Sequence, residues 1–369
     1  MGQVHDFLCP KTTPILSVPK LDGQKERARA FRTEPLSLGQ NVGRSDRLSK
    51  YEILYEVGSG AFGRVFCLQR NGQKFALKKI KKSALIKDQI DMEYIITEKN
   101  VMKHADSPFV VRLHESFQDA YNAYLVMDFC AGGDLYQLLR IKSKLDENTT
   151  RFFTMQIFLG INYLHEIGVV YRDLKTENVL LTEEGNLKLA DFGLAKVGID
   201  KANTRCGTLI YMAPEVLAGK SYNHTIDYWG LGCLIFEMLH GKNPFEFNNE
   251  TQAKMKILKG ESYPFSPQIS SEAKDLIKGL LTVDPNERLG SKGSNQIMQH
   301  PFFNNIEWKD IKEFHITPPI KPAIKNKEME NSQLILKKIC KDKEQATFLK
   351  IPNFTEDAEN DNRRKTLDF

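Results

Sequence analysis

Twelve consecutive residues, Tyr228 to Leu239 (YWGLGCLIFEML), contain a single charged side chain, Glu237. At helical period this stretch is apolar nearly all round, and such a helix must be buried on every side. It is too short for the roughly 20 residues of a membrane span. The chain therefore needs a sizeable helical body to wrap this segment, with Asp227 opening the helix. A length of 369 residues provides for it: one large two-lobed domain or two domains are the natural readings.

Composition narrows the class. Apolar residues make up 41% and charged residues 27%, the balance of an ordinary globular protein. The net charge of +5 comes without a concentrated basic stripe, so a nucleic-acid partner is not expected. Six cysteines (Cys9, Cys67, Cys130, Cys206, Cys233 and Cys340) are scattered, and no two stand at CxxC spacing. That argues against a disulfide framework or a zinc site and for a reducing compartment. Pro10 and Lys11 interrupt the N-terminus before any apolar region develops, so no signal peptide is expected.

Residues 1–50 show no sustained period of 2 or 3.6 and are expected to form a largely disordered extension. Order is expected from Tyr51. YEILYEV has strand character, and RVFCLQ, Asn71-Gly72 and QKFALK read as a hairpin with a type I′ turn. The pattern turns helical from about Asp88 to Lys103. From residue 131 helices dominate: Asp134 is placed to cap LYQLLR, and the helix containing RFFTMQIFLGINYLHEI stops at Gly168. After Phe303 the chain becomes rich in Lys, Pro and Glu, as a tail laid over a surface would be. No internal repeats are visible. The fold class is α+β, a small β-rich lobe followed by a large helical one.

The chemistry sits in short strings. Gly58-Ser59-Gly60-Ala61-Phe62-Gly63-Arg64-Val65 lies between two expected strands, and glycines there let backbone amides approach phosphate. A lone GxGxxG is weak, and a dinucleotide site would want a helix after it rather than a strand. Lys78, at the end of a mostly apolar strand, would ordinarily be a solvated edge; opposite the glycine loop it could neutralise phosphate charge, with Glu98 holding it. The strongest signal is Tyr171-Arg-Asp173-Leu-Lys175-Thr-Glu-Asn178, followed by Asp191-Phe-Gly193 and Ala213-Pro-Glu215. Phosphoryl transfer needs an acceptor for the attacking hydroxyl's proton, a cation near the γ-phosphate, and oxygen ligands for magnesium. Asp173, Lys175 and the pair Asn178 with Asp191 meet those needs in type and order.

Residues 51–303 resemble a eukaryotic protein kinase. In detail they resemble the AGC family, the group containing the cyclic-AMP-dependent kinase catalytic subunit. Tyr171 in YRDLK, Thr204-Arg-Cys206-Gly-Thr208, Arg288 in NERLG, and HPFF at 300–303 carry that likeness. It implies a bilobal protein kinase fold with an N-lobe at about 51–127, a C-lobe at about 131–303 and an AGC-type tail over 304–369. It also implies ATP and Mg2+ as cofactors, and Asp173 and Lys175 as catalytic residues. Val57 and the loop Gly58 to Gly63 would cover the nucleotide. Met127 would be gatekeeper, Asp128 and Cys130 would offer backbone hydrogen bonds to adenine, and Val65, Ala76 and Leu180 would sandwich the ring. Thr204 would be the activation-segment phosphorylation site, served by an upstream activating kinase, with Arg172 as the phosphate's partner. Arg288 would pair with Glu215. Thr208, Asp134, Glu177 and Glu237 would meet the substrate, the three acids favouring arginines two and three residues before the acceptor, with an apolar residue after it. Thr176 and Leu209 depart from the family pattern and bear on the shape of the substrate loop.

Two rival functions are open at this point. A pseudokinase scaffold would be expected to lack Lys78, Asp173 or Asp191, and all three are present. A small-molecule kinase on the same fold fits poorly with the APE segment, the CGT loop and the tail. The expected molecule is a monomeric catalytic chain acting on protein substrates with basic motifs, in the cytoplasm with the nucleus also admissible. Gly2 and Cys9 could carry acyl chains, but Asp6 stands where the myristoylation motif wants Ser or Thr, so membrane attachment is not expected. Arg27-Ala-Arg29-Ala30-Phe31 mimics a basic substrate with alanine at the acceptor, though a basic disordered tail is the simpler account. Arg363-Arg364-Lys365-Thr366-Leu367 fits the expected specificity and marks Thr366 for autophosphorylation.

Overall fold

The computed structural model describes residues 47–60, 63–83, 92–119, 121–198, 206–247 and 249–323. They fall into two compact units, one drawn from 47–106 with Val111–Cys130, the other from Ser107–Val110 with Ala131–Ala323. Ala61, Phe62, Thr204, Thr366 and the N-terminal motifs around Gly2, Cys9 and Ala30 lie outside the described residues.

The first unit is built on five antiparallel strands in the order β1-β2-β3-β5-β4. They are β1 (Glu52–Gly60), β2 (Gly63–Arg70), β3 (Gln73–Lys81), β4 (Leu113–Gln118) and β5 (Asn122–Asp128), with helix α1 (Met92–His104) between β3 and β4. Asn71 and Gly72 join β2 to β3 at φ 51 and 78, the two positive angles a type I′ hairpin requires. Alternation decides the core face: Phe66 and Leu68 on β2 meet Leu77 and Phe75 on β3, and Ile53, Phe117, Tyr124 and Val126 join the same cluster. Described order begins four residues before Tyr51. Glu115 on β4 is buried, and Arg47 (3.4 Å), Lys50 (3.0 Å) and the Tyr51 hydroxyl (3.1 Å) converge on it. A buried carboxylate needs such partners, and here they tie residues 47–51 to the sheet.

The second unit is mainly helical. Asp134 caps α2 (Leu135–Lys142) through Gln137 N at 2.7 Å, and Asp146 caps α3 (Glu147–Glu166) through Thr149 N at 2.9 Å. Two short antiparallel pairs follow: β6 (Val169–Val170) with β9 (Lys196–Val197), and β7 (Val179–Leu181) with β8 (Leu187–Leu189). Then come α4 (Pro214–Leu217), α5 (Thr225–His240), α6 (Glu250–Lys259), α7 (Ser271–Leu280), α8 (Asn295–Met298) and α9 (Trp308–Lys312). α5 is the apolar segment singled out in the sequence, and every residue in it except Glu237 and His240 is buried. It starts at Thr225, not at Asp227. Asn223 Oδ1 already receives Thr225 N at 2.9 Å, so the entry is satisfied upstream and Asp227 is left for another task.

Beyond Phe303 the described chain, as far as Ala323, lies along the surface of the second unit. Trp308 donates Nε1–H to Met298 O at 2.9 Å and lies against Phe158 and Phe303. Further on, Pro322 lies 2.7 Å from where a Cβ on Gly132 would stand, and a Cβ on Gly185 would fall on the carbonyl of Ile320. The tail therefore runs over two glycines that leave it room. Among the described residues no helix is long and apolar enough to cross a membrane.

Candidate active site

In the sheet unit, β1 and β2 pair at Gly58 with Val65, Ser59 with Arg64 and Gly60 with Gly63, which forms the walls of the glycine loop. The glycines differ in purpose. A Cβ on Gly58 would meet nothing within 4 Å, whereas Gly63, at φ 145, has the carbonyl of Lys79 where a Cβ would sit. Gly63 is thus required by packing against β3, and Gly58 leaves space that a ligand could approach. Val57 is exposed, and Val65 and Met127 are half-buried. Ala76 is buried and stands opposite both Cys67 and Met127. Lys78 Nζ lies 2.6 Å from Glu98 Oε1, with the lysine side chain 13% and the glutamate 5% exposed. Strand β3 and helix α1 thus join two residues that are 20 apart in sequence. The Asp128 amide donates to Arg112 O at 3.1 Å, which narrows the expected adenine contact at that residue to its carbonyl. Cys130 is half-buried.

In the helical unit, the turn between β6 and β7 carries Asp173, buried, with Asn178 Nδ2 donating to its Oδ2 at 2.8 Å and to its carbonyl at 2.9 Å. Lys175 Nζ stands 3.1 Å from the same Oδ2 and 3.2 Å from Thr208 Oγ1, linking the carboxylate, the cation and the CGT threonine. Burial pushes the Asp173 carboxyl up and the charge of Asp191 adds to this, against Lys175 and Asn178. Asp191 sits at φ 55, a left-handed position, with its Oδ1 facing Gly193 N. Leu180, on β7, bridges to Asp134.

The donor set fits magnesium. Asn178 commits its nitrogen to Asp173, so its amide oxygen is the atom left for a cation, and Asp191 supplies a carboxylate. Both are hard oxygen ligands. Among the described residues no group of three or more His, Cys, Asp or Glu could by itself hold a metal ion.

The acids expected to meet substrate are placed very differently. Glu177 is exposed. Asp134 is half-buried and shares its carboxylate between Gln137 N and Nε2, and burial raises its carboxyl against those bonds. Glu237 is not a solvated surface acid. Tyr211 donates its hydroxyl to it at 2.5 Å, and burial pushes it to about 7, with the charges of Glu177 and Glu246 adding. Arg288 and Glu215 form a bidentate pair at 2.7 and 2.9 Å, wholly buried, with the guanidinium over the Trp229 ring.

Sequence reasoning missed Asp227. Its carboxylate accepts Tyr171 N at 2.9 Å, Arg172 N at 2.8 Å and His165 Nε2 at 2.7 Å. The available signal was an acid at the head of an otherwise apolar segment, which also suits a cap. Arg172 stands at φ 68 and sends Nε to Leu194 O and Nη1 to the Tyr222 hydroxyl.

A buried, cation-flanked carboxylate beside an oxygen-donor pair is what phosphoryl transfer requires of the helical unit. Residues 51–303 match the protein kinase domain model, and the chain belongs to the protein kinase family. Within it, the chain is a serine/threonine protein kinase of the AGC type. It is 36% identical over 338 residues to the cAMP-dependent protein kinase type 3 of Saccharomyces cerevisiae, covering 89% of this chain and 84% of that one. It is 39% identical over 288 residues to ribosomal protein S6 kinase 2 alpha of Gallus gallus (75% and 38%). Against the serine/threonine-protein kinase gad8 of Schizosaccharomyces pombe it is 38% identical over 284 residues (76% and 50%). The chain thus spans half or less of the latter two relatives.

Proposed function

We propose that this kinase transfers the γ-phosphate of ATP, with magnesium, to Ser or Thr in proteins that carry arginines two and three residues before the acceptor. The observation that carries the reaction is the Asp173 carboxylate, fixed by Asn178 and flanked by Lys175, which itself reaches Thr208. Asp173 orients the acceptor hydroxyl and takes its proton. Its buried setting raises its basicity. Lys175 offsets charge gathering on the transferred group, and Thr208 holds Lys175 in place. Asn178 and Asp191 would hold magnesium, which when bound neutralises phosphate oxygens. Lys78, held by Glu98, would position the α- and β-phosphates.

Asp134, Glu177 and Glu237 support the arginine preference, since each can pair with a guanidinium, and Asp134 and Glu237 are already partly desolvated and held in place. Activation follows from phosphate on Thr204 set beside Arg172, which is already rooted to Leu194 and Tyr222. The test is a positional-scanning peptide library phosphorylated by the purified full chain with ATP and magnesium. Arginine is expected at −2 and −3, and a proline-directed or acidic profile there would refute the acidic groove that Asp134, Glu177 and Glu237 are proposed to form.

A further inference from the structure

Past Glu237 the end of α5 changes sign. Gly241 donates its amide to Glu237 O at 2.7 Å, and Lys242 follows. Gly241, at φ 75, packs so closely on the turn after α2 that a Cβ would fall on the carbonyl of Ser143 and stand 3.8 Å from Cβ of Lys144. Leu145 N donates to Met238 O at 2.7 Å, a second tie between that turn and α5. Lys144 and Lys242 are therefore brought to one end of α5 by backbone contacts, although they are distant in sequence. Both are exposed. Lys242 Nζ is steadied 3.9 Å over the ring of Tyr263, which stacks on Phe247 at 4.7 Å.

His240 reports on the pair. Its Nδ1 faces Phe236 O at 2.9 Å and its Nε2 accepts Ser266 N at 3.1 Å, so both ring nitrogens are occupied and the neutral ring acts as a spacer. Burial holds its pKa below the usual range, and the charges of Lys144 and Lys242 lower it further, against the Phe236 carbonyl. A helix end attracts cations, and α2 has Arg140 and Lys142 in its last turn for that purpose. Lys144 and Lys242 each follow a helix C-cap, Ser143 and Gly241, so each helix end accounts for one lysine, but neither accounts for packing that brings the two together.

The order of groups supplies a reason for that packing. Lys175 and Thr208 stand at Asp173. Thr176 touches the Tyr211 hydroxyl, which reaches Glu237, and Lys242 follows just past the Gly241 cap that ends α5. We infer that Lys144 and Lys242 form a subsite for a side-chain anion, carboxylate or phosphate, on the substrate peptide upstream of its arginines. The inference rests on the acidic groove proposed above. The anion is sought at positions −4 to −8, the residues upstream of the arginines.

The experiment uses the purified full chain and peptides in two sets. One set varies −2 and −3. The other keeps arginine there and places Ala, Arg, Glu or phosphoserine at each of −4 to −8. Glutamate is expected to raise kcat/KM over alanine by roughly fivefold at one position, with phosphoserine higher and arginine lower. In Lys144→Glu/Lys242→Glu the order is expected to invert in favour of arginine. An enzyme that selects arginine at −2 and −3 but shows a flat or basic profile from −4 to −8 would overturn the subsite and leave the groove intact. So would an anion preference untouched by the double variant. Absence of arginine selection at −2 and −3 would remove both.

Discussion

Asp227 Oδ1 accepts the backbone hydrogen of Arg172 at 2.8 Å, although 55 residues separate them in the chain. Arg172 stands at φ 68, a left-handed conformation that costs a residue with a Cβ about 1–2 kcal/mol. Asp227, buried near the start of the apolar helix α5, thus fixes the turn that carries Asp173. The core helix and the turn that carries Asp173 are connected through one carboxylate.

Asp227→Ala would leave two backbone amides and an imidazole without their acceptor. A loss of about 3–5 kcal/mol of stability is expected. Turnover should fall by about 100-fold or more in whatever fraction stays folded, because the turn loses its anchor. Urea denaturation read together with kcat on the folded fraction checks this, and wild-type values for both would remove Asp227 from the machinery.

Asp173→Asn keeps the shape of the side chain and removes the proton acceptor. Turnover should drop by about 10²- to 10⁴-fold while ATP binding stays near normal. Lys78→Met and Asp191→Ala should silence transfer by another route, through weakened nucleotide and metal binding. Single-turnover rates compared with nucleotide titration separate the two groups. Normal turnover in Asp173→Asn would mean that another residue is the base.

Glu237 gives a pH prediction. Its carboxyl is raised from 4.5 to about 7 in the folded protein. Between those values the folded chain holds a proton that the unfolded chain releases, so stability falls as pH rises through this window. The full penalty, on the order of 3 kcal/mol, is in place above pH 7 and absent below about 4.5. Glu237→Gln should therefore melt higher than wild type at pH 8 and no higher at pH 4.5, while its KM for an arginine peptide rises. A melting difference that does not change with pH would show that the charge of Glu237 is not what costs stability.

Gly58 and Gly63 of the loop should respond in opposite ways. Gly58→Ala adds a methyl to open space and should raise KM for ATP with little change in melting. Gly63→Ala drives a Cβ onto the Lys79 carbonyl at φ 145 and should cost the fold about 3 kcal/mol or more. Thermal melts of the two variants, with ATP kinetics for the first, decide it.

Arg288→Lys preserves the charge but replaces a buried fork with a point charge. Glu215 would lose its second hydrogen bond, and the carbonyls of Thr225 and Thr282 would lose theirs. About 3–5 kcal/mol is expected to be lost. A denaturation midpoint equal to wild type would contradict this.

The sequence alone determined whatever depends on neighbours along the chain. The YRDLKTEN, DFG and APE strings, the Asn71-Gly72 turn, the cap at Asp134 and the all-apolar helix are each local, set by backbone angles and periodicity. Tertiary structure decided which polar groups meet. Periodicity shows that the α5 helix is apolar nearly all round, but it does not say that Asp227 will face Tyr171 and Arg172, or that Glu237 will be half-buried against Tyr211. Nor does it put Lys144 beside Lys242. A carboxylate's partners and protonation are set by what packs against it and how much water is excluded, and those are properties of elements brought together from distant parts of the chain.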